Sequence, residues 1–335
     1  MLPILLSLIV LGGTHGYTWP SPTLEALEAA RFDQLGFNSV QLAPFIQPCN
    51  AFLFADNSGR SNAADWIRTA YHDMATYNVA DGTGGLDASI RFGVEQARSE
   101  NVGDGFNNTF IPVLIASNRY VGVADALALA LVMVVENCGG LEMPFRGGRI
   151  DATEPNAPGV PEPQQDLDSH IASFARQGFT QTDMIGLVAC GHTFGGVQHA
   201  AFPTIVGELN DPQDTQDVAH FDTTFVHFDN NVATEYVSGT TQNPLVVGFN
   251  DTTNSDKQIF GSDGNATMRS LADSPSLFSS TCTELFTRMI DTVPSGVQLT
   301  DVITPIPIKP ANVELTLAND SINVFGQVRP PAVEH

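Results

Sequence analysis

Apolar residues recur at helical spacing in several separate parts of the chain. Leu24, Leu27, Ala30 and Leu35 follow one another at intervals of three to five positions. Such spacing places them on one face of a helix, so the pattern predicts a helix over about 24–37. Similar reasoning predicts further helices at about 62–74, 124–135, 166–176, 180–190 and 275–290. The sequence therefore indicates a mainly α protein.

The last part of the chain has a different pattern. Apolar and polar residues alternate from Val313 to Leu317, which is typical of a strand with one buried face. Residues 303–335 are predicted to form a C-terminal tail of short strands or extended chain. The proline-rich stretch 154–163 is predicted to be a stiff connection, because a helical pattern resumes immediately after it.

The first 16 residues are predicted to form a secretory signal peptide. Residues 2–11 are almost wholly apolar, and Gly16 and Tyr17 mark a cleavage point after small residues. About ten apolar residues are too few to span a bilayer, and no other stretch is long and apolar enough. We therefore expect a secreted, extracellular protein.

Charge excludes some partners. The 335 residues include 14 Lys and Arg against 37 Asp and Glu, for a formal net charge of -23. That imbalance argues against nucleic acid and against anionic membrane surfaces. A hydrophobic content of 42% is sufficient for one large domain or two ordinary ones.

Cysteines and glycosylation signals agree with export. Four cysteines in a secreted chain favour two disulfides over free thiols, and the sequence alone leaves three pairings open. Four Asn-x-Ser/Thr signals are candidate glycosylation sites. The cysteines are Cys49, Cys138, Cys190 and Cys282, and the signals begin at Asn107, Asn250, Asn265 and Asn319.

One predicted helix carries an unusual pair. Arg68 and His72 are four residues apart, so both project from the same helical face. A guanidinium and an imidazole together can address an anionic or peroxidic oxygen. The simpler interpretation is a solvated helix face.

Two loops are rich in oxygen ligands. The first contains Asp73, a glycine-rich turn, Asp87 and Ser89, and the second contains Asp222, Thr224 and Asp229. Hard oxygen ligands on both sides of a tight loop suit calcium, although the spacing is not that of an EF-hand. The alternative is that these residues cap helices.

A second histidine stands between glycines at the end of a predicted helix. In Gly191-His192-Thr193 the glycine lets a bulky group approach the backbone. A lone histidine in this position is more often a satisfied core residue. The pattern alone does not decide.

Taken together, these residues resemble the haem peroxidases of plants, fungi and bacteria over roughly residues 24–302. Arg-x-x-aromatic-His-Asp followed by Gly-Gly-x-Asp-x-Ser is similar to the distal motif of that family, and Val-Ala-Cys-Gly-His-Thr to its proximal motif. The motifs occur in the family order, about 120 residues apart. The resemblance implies a haem peroxidase fold with two helical lobes, about 24–155 and 156–302, sandwiching haem b in a domain spanning 17–302.

The resemblance also implies the proximal roles. His192 is expected to bind the haem iron, and Asp263 of the Ser-Asp motif to accept a hydrogen bond from its other ring nitrogen. That contact makes the imidazole a stronger ligand. Phe221 is expected to stack on the imidazole.

On the distal side, the resemblance implies that His72 moves a proton within hydrogen peroxide while Arg68 stabilises the developing charge. Asn101 is expected to hold His72 in the required tautomer, and Glu95 to link Asn101 back to the distal helix. Pro161 and Tyr71 are expected at the pocket.

Two calcium ions and the disulfide pairing follow from the resemblance as well. Cys49 is expected to pair with Cys138, and Cys190 with Cys282. The expected calcium ligands are Asp73, Gly85, Asp87 and Ser89 at a distal site, and Thr193, Asp222, Thr224, Asp229 and the His227 carbonyl at a proximal site.

Departures from the family's patterns bear on which reducing substrate the protein would oxidise. Manganese-oxidising relatives carry three acids where this chain has Ser61, Asp65 and Gly195, and ligninolytic relatives carry a surface Trp where it has Leu187. Tyr71 stands where most relatives have Phe or Trp. We therefore expect a monomeric, low-potential peroxidase that uses hydrogen peroxide to oxidise small phenolic or aromatic reductants, most similar to hybrid-type secreted peroxidases of ascomycete fungi.

Two alternatives come from other classes of protein. One is a secreted haem-fold protein that binds a partner and is catalytically silent. The other is a calcium-stabilised binding module that holds no haem and whose histidines are structural. A Soret band in the purified protein separates the second alternative from the first and from a peroxidase.

Overall fold

The structure is a computed structural model that describes residues 21–34, 40–306 and 308–329. The predicted signal peptide, residues 1–16, lies outside the described residues. The part of the chain that the structure describes is mainly helical, as predicted. Its α-helices are α1 Pro22–Phe32, α2 Asn62–Met74, α3 Gly93–Gln96, α4 Gly105–Val113, α5 Val123–Asn137, α6 Leu167–Arg176, α7 Gln181–Gly191, α8 Asn231–Ser238, α9 Pro244–Val247, α10 Ser255–Gly261, α11 Ala266–Asp273 and α12 Pro275–Ile290.

Side-chain caps fix the starts of the two helices that carry the histidines. At α2, the Ser61 hydroxyl accepts a hydrogen bond from the backbone N–H of Ala64. At α7, Thr180 and Asp183 form a capping box, in which each side chain accepts from the backbone of the other residue. Such caps satisfy N–H groups that have no partner inside the helix. Both helices therefore begin at a defined residue.

Helix α5 forms the centre of the core. All its residues from Ala124 to Val135 are buried, including Asp125. The Asp125 carboxylate pairs with the buried Arg149 guanidinium at 3.1 Å and also accepts hydrogen bonds from the backbone N–H groups of Gly148 and Arg149. A buried charge is tolerated when it is paired and hydrogen-bonded in this way.

Two disulfides join distant segments. Cys49 bonds to Cys138 with an S–S distance of 1.99 Å, and Cys190 bonds to Cys282 at 1.94 Å. This is the pairing that the family resemblance implied. The second disulfide ties α7, which leads into His192, to α12.

In the described residues, four strands form two small antiparallel sheets. In the first, β1 Gly196–Gln198 pairs with β2 Val218–His220, and Val197 lies opposite Ala219. In the second, β3 Lys309–Ala318 pairs with β4 Ser321–Arg329 as a hairpin whose register is irregular between Ala311 and Glu314. The prediction of short strands in the tail is confirmed.

The base of the hairpin is held against α1 by charges. The buried Lys309 ammonium lies 2.6 Å from a Glu28 carboxylate oxygen and 2.9 Å from one of Asp33. Arg329 pairs with the same two acids. Beyond this base most of the hairpin is exposed.

No helix in the described ranges is long and apolar enough to cross a membrane. The boundaries of the two lobes, of the 17–302 domain and of the tail stay predictions.

Candidate active site

A cavity of about 460 Å³ collects the side chains that the two motifs supply. Arg68, Tyr71 and His72 reach it from α2, and His192 reaches it from the end of α7. Apolar side chains such as Phe221 and Leu187 line much of the rest. The structure therefore brings the distal and proximal motifs to one cavity.

His72 is held in one tautomer. Its Nδ1 lies 2.8 Å from Asn101 Oδ1, and Asn101 Nδ2 in turn donates to the Glu95 backbone carbonyl at 2.9 Å. Because the amide nitrogen is engaged with a carbonyl, the amide oxygen faces His72 and must accept a proton from Nδ1. The lone pair of Nε2 is then left to act as a base towards the cavity.

Burial keeps His72 neutral. Loss of solvent, with the Arg68 charge as a second cause, lowers the pKa of His72 to about 3, although the Asn101 hydrogen bond opposes this shift. An imidazole with that pKa is unprotonated at neutral pH. It can therefore accept a proton from a substrate.

Arg68 keeps its charge in the same pocket. Its Nη2 donates to the Val102 carbonyl at 2.8 Å, and its guanidinium carbon lies 4.6 Å from the centre of the Phe106 ring. Burial lowers the pKa of Arg68 to about 10, so the guanidinium remains a cation at neutral pH. The fixed cation beside His72 can stabilise negative charge on an oxygen.

Glu95 connects Asn101 to α2, as expected, but through two different groups. Its backbone carbonyl holds Asn101, whereas its carboxylate accepts from the Ser89 hydroxyl at 3.1 Å. The same Ser89 hydroxyl lies 3.5 Å from Asp73 Oδ1 on α2. The network makes the position of His72 depend on the loop that follows α2.

The carboxylate partner of His192 is Asp256, and the prediction of Asp263 was wrong. His192 Nδ1 lies 2.7 Å from Asp256 Oδ2, and Asn243 Nδ2 donates to the same oxygen at 2.8 Å. Asp256 is buried near the start of α10. With Nδ1 donating to the carboxylate, His192 Nε2 carries the free lone pair that a metal ligand needs.

The Asp263 carboxylate binds the start of the next helix, α11. It accepts from the backbone N–H groups of Ala266 and Thr267, both at 2.9 Å, and from the Thr267 hydroxyl. It therefore caps the start of α11. The chain contains two Ser-Asp pairs, Ser255-Asp256 and Ser262-Asp263, seven residues apart. The glycines on either side of the second pair signal a turn, and this could have identified it as the cap.

Sequence reasoning missed two further residues of the site. Asn243 fixes Asp256, as described above, and His170 of α6 lines the cavity as a buried histidine whose pKa burial lowers. The His170 position on the apolar face of its helix was the available signal. The second oxygen of Asp256, Oδ1, is also buried and has no hydrogen-bond partner among the described residues.

The aromatic neighbours lie where the resemblance placed them. The Phe221 ring stacks on the His192 imidazole with a centroid distance of 4.1 Å and an interplanar angle of 12°. Tyr71 stacks on Phe174 at 5.9 Å, and burial raises the pKa of its hydroxyl. Pro161 lines the cavity.

The loop predicted to bind calcium on the proximal side has a donor set that fits a cation. Asp222 Oδ2 is buried and has no partner among the described residues. Burial, with the Asp229 charge, raises the pKa of Asp222 to about 7. The Thr193 and Thr224 hydroxyls both contact Asp229, through its carbonyl and its carboxylate respectively. Two carboxylates with hydroxyls and a carbonyl are hard oxygen ligands.

The distal loop does not fit calcium in the same way. The Asp73 carboxylate accepts from the backbone N–H groups of Asp87, Ala88 and Ile90 at 2.7 to 2.9 Å. The Asn156 side-chain nitrogen lies 2.9 Å and 3.0 Å from the two Asp87 oxygens and 3.0 Å from the Ser89 hydroxyl. A donor group therefore faces two of the predicted ligands.

In the described ranges, no three His, Cys, Asp or Glu side chains converge on one metal position. This holds for both loops. A cation at either place would depend on hydroxyl and carbonyl oxygens. The roles of the Gly85 and His227 carbonyls stay predictions, as do the four glycosylation sites.

The cavity fits haem by the chemistry of its side chains. The His192 imidazole is partly exposed and its Nδ1 donates to the buried Asp256 carboxylate, which is the usual form of an axial ligand. The cavity is lined mainly by apolar groups, with the neutral His72 and the charged Arg68 on the distal side. These are the groups that a planar apolar cofactor with a reactive distal face requires.

Comparison with known proteins agrees with this assignment. A family model described as Peroxidase matches residues 51–280, which is more than half of the chain. The chain is 39% identical, over 93% of its length, to a WSC domain-containing protein of Arthroderma benhamiae, of which it covers 43%.

Named peroxidases match a shorter part. The chain is 36% identical over 41% of its length to L-ascorbate peroxidase 5, peroxisomal, of Arabidopsis thaliana, of which it covers 49%. It is 29% identical over 38% of its length to the mitochondrial cytochrome c peroxidase of Emericella nidulans, of which it covers 37%. The chain thus spans about half or less of the length of these relatives. It belongs to the peroxidase family, the haem peroxidases of plants, fungi and bacteria.

Proposed function

We propose that this protein is a haem-dependent peroxidase that reduces hydrogen peroxide and takes single electrons from small phenolic or aromatic donors. One observation carries the proposal. Two histidines of opposite function line one cavity, His72 with a free base nitrogen and His192 with a free ligand nitrogen. Each is fixed by a hydrogen bond at Nδ1.

His72 moves the proton. Its Nε2 would take a proton from one oxygen of hydrogen peroxide and return it to the other oxygen, which already carries a hydrogen and would leave as water when the O–O bond breaks. Asn101 keeps Nδ1 protonated throughout, so the same nitrogen serves both steps. The low pKa of the imidazole makes its protonated form a strong acid towards the leaving oxygen.

Arg68 stabilises the charge that develops as the O–O bond breaks. Its guanidinium is held by the Val102 carbonyl and against the Phe106 ring, so it does not need to reorganise during the reaction. A fixed cation in a pocket of low polarity is worth more than the same cation in water.

When bound, haem would supply a redox-active centre able to give peroxide the two electrons that its reduction to water requires. His192 would hold the haem iron through Nε2, and Asp256 would increase the electron donation of the imidazole by accepting its Nδ1 proton. Asn243 holds the carboxylate in place.

Small neutral aromatic donors suit the cavity and the charge of the chain. Val160, Pro161 and Phe202 are among the apolar residues that line the cavity. The net charge of -23 repels anionic donors at a distance but has little effect on a neutral phenol. Ascorbate, named in several of the relatives, is an anion and serves as the comparison donor.

Calcium at the proximal loop is the second part of the proposal. The unpartnered Asp222 oxygen and the neighbouring Asp229 and Thr224 support a single calcium ion there. A divalent cation would relieve the cost of burying two like charges close together.

An extracellular location is the third part. The apolar segment 2–11 and the two disulfides support export through an oxidising compartment. Amino-terminal sequencing of protein recovered from the medium of an expressing culture tests this part. The expected result is a new terminus near Tyr17.

The experiment for the main proposal is a haem titration followed by turnover. Haem added to the purified protein should give a Soret band that saturates at one equivalent, and the loaded protein should oxidise guaiacol in the presence of peroxide. A Soret band without turnover would identify a silent haem-binding protein. Absence of the band after reconstitution would exclude the haem-based proposal.

A further inference from the structure

The side chain of Asn156 lies where the resemblance expects a distal calcium ion. Its Nδ2 is 2.9 Å and 3.0 Å from the two oxygens of Asp87, 3.0 Å from the Ser89 hydroxyl and 3.3 Å from the Thr76 hydroxyl. Calcium takes six to eight oxygen ligands at about 2.3–2.6 Å. An amide nitrogen among four oxygens fills the space that such an ion needs.

Chemistry fixes which end of the amide faces the loop. Asn156 Nδ2 lies within 3.0 Å of both Asp87 carboxylate oxygens, and a carboxylate oxygen accepts hydrogen bonds. An amide oxygen in this position would face two other acceptors at about 3 Å, which is unfavourable unless a cation lies between them. The nitrogen end therefore faces Asp87.

The backbone of Asn156 is anchored on the other side. Its N–H donates to Glu95 Oε2 at 2.9 Å, and its carbonyl accepts from Arg98. Pro155 precedes it and restricts the rotation of the chain. The amide is thus held in the loop by fixed contacts at its backbone as well as at its side chain.

The remaining predicted side-chain ligand, Asp73, is satisfied without a metal. Its two carboxylate oxygens accept from three backbone N–H groups, those of Asp87, Ala88 and Ile90. Three such donors can replace the ligands of a cation around a buried carboxylate. Burial still raises the pKa of Asp73 and of Asp87, a cost that hydrogen bonds offset only in part.

We infer that the Asn156 side-chain amide permanently replaces the distal calcium ion, so that the distal half of the site is built without metal. The loop from Asp73 to Ser89 is closed by an uncharged donor, and Asn156 is a positioning residue that supports Glu95 and, through it, Asn101 and His72. The inference stands apart from calcium binding at the proximal loop.

Calcium stoichiometry tests the inference. The EGTA-treated protein is titrated with calcium chloride and the bound metal is measured by mass spectrometry. We expect no more than one equivalent, unchanged in Asp87→Asn and lost in Asp222→Asn. Zero equivalents would remove the proximal calcium from the proposed function and leave this inference intact. Two equivalents, one of them lost in Asp87→Asn, would overturn it.

A variant that should gain calcium binding tests the role of the Asn156 nitrogen, and an alanine variant is its control. Asn156→Asp replaces the donor by a carboxylate of the same size and gives the loop three acids, so we expect one additional equivalent of calcium. A variant that binds no more calcium than the wild type would show that the nitrogen is not what excludes the ion. Asn156→Ala removes the donor without adding an acid and is expected to gain little.

Hydrogen exchange separates the two loops within one unaltered protein. After EGTA treatment, amide exchange in residues 76–90 should change by less than about twofold, while exchange in residues 222–231 should accelerate if the proximal loop binds calcium. Acceleration in 76–90 that calcium reverses would contradict a metal-free distal loop. Because the readout is local, the result does not depend on haem or on turnover.

Discussion

The Asp256 carboxylate fixes the orientation of the His192 imidazole. It accepts from His192 Nδ1 at 2.7 Å and from Asn243 Nδ2 at 2.8 Å, so neither group can turn without losing a charged hydrogen bond. An anion at this position raises the electron density on the imidazole. Its effect should therefore appear in the reduction potential of the iron.

Asp256→Asn should raise the reduction potential of the haem-loaded protein by on the order of 100 mV, because a charged hydrogen bond is worth roughly 1.5–3 kcal/mol. Spectroelectrochemical titration of the Soret band measures the shift. Asp263→Asn is the matched control, since Asp263 caps α11 and does not contact His192. A shift in the Asp263 variant and none in the Asp256 variant would reverse the assignment.

The low pKa of His72 predicts a pH profile. The imidazole must be unprotonated to accept a proton, and with a pKa lowered to about 3 it stays so as the pH falls from 8 to 4. The second-order rate constant for peroxide should thus be nearly flat over that range and fall only as the pH approaches 3. Stopped-flow mixing at constant ionic strength measures it, and a loss centred near pH 6.5 would show that burial does not shift this group.

Sequence reasoning succeeded for residues whose relative positions are set by one helix. It failed for the carboxylate partner of His192, whose position depends on how separate segments pack. Arg68 and His72 lie one turn apart on α2, so the spacing alone predicted that both project from the same helical face. Asp256 and Asp263 have similar neighbours in the sequence. Only the packing of α10 against the end of α7 decides which of them meets His192, and that packing is a long-range contact.

At the scale of elements, the long helices were predictable because their caps and apolar faces are local. The bounds of α2 and α12 are those expected, and α7 begins at Gln181, close to the expected start at about 180. Helix α1 ends at Phe32, whereas the pattern predicted a helix to 37, and residues 35–39 lie outside the described residues. The distal loop was beyond sequence reasoning, because Asn156 is 67 residues from Ser89.

The disulfide between α7 and α12 should contribute strongly to stability. Cys190 and Cys282 are 92 residues apart, and closing so long a loop restricts the unfolded chain. The double variant Cys190→Ser, Cys282→Ser should lose about 2–5 kcal/mol of unfolding free energy. Urea denaturation measures the loss, and the corresponding double variant of Cys49 and Cys138 provides the comparison. An unchanged midpoint would show that packing alone holds α7 against α12.

At the scale of the whole molecule, the net charge determines the electric field that an approaching substrate meets. Fourteen basic residues stand against 37 acidic ones, and several of the basic residues, such as Arg149 and Lys309, are already paired inside the protein. The field outside the protein is therefore negative on average, which keeps the chain soluble and slows the approach of anions.

The charge of the electron donor should therefore decide how its oxidation rate responds to salt. Raising the ionic strength from about 10 mM to 500 mM should increase the rate of ascorbate oxidation by about two- to tenfold through screening. Oxidation of a neutral phenol should change little. Steady-state assays with both donors at fixed peroxide measure the effect, and a faster ascorbate reaction at low salt would indicate a local cationic binding site.

The most direct test of the account is the rate at which the haem-loaded protein reacts with hydrogen peroxide, with and without His72. Stopped-flow absorbance of the Soret band measures this in the wild type and in His72→Ala. We predict that the variant binds haem with the wild-type stoichiometry and reacts at least about 10³-fold more slowly, because the group that transfers the proton beside Arg68 is lost. A wild-type rate in the variant would contradict the role of His72 as the catalytic base.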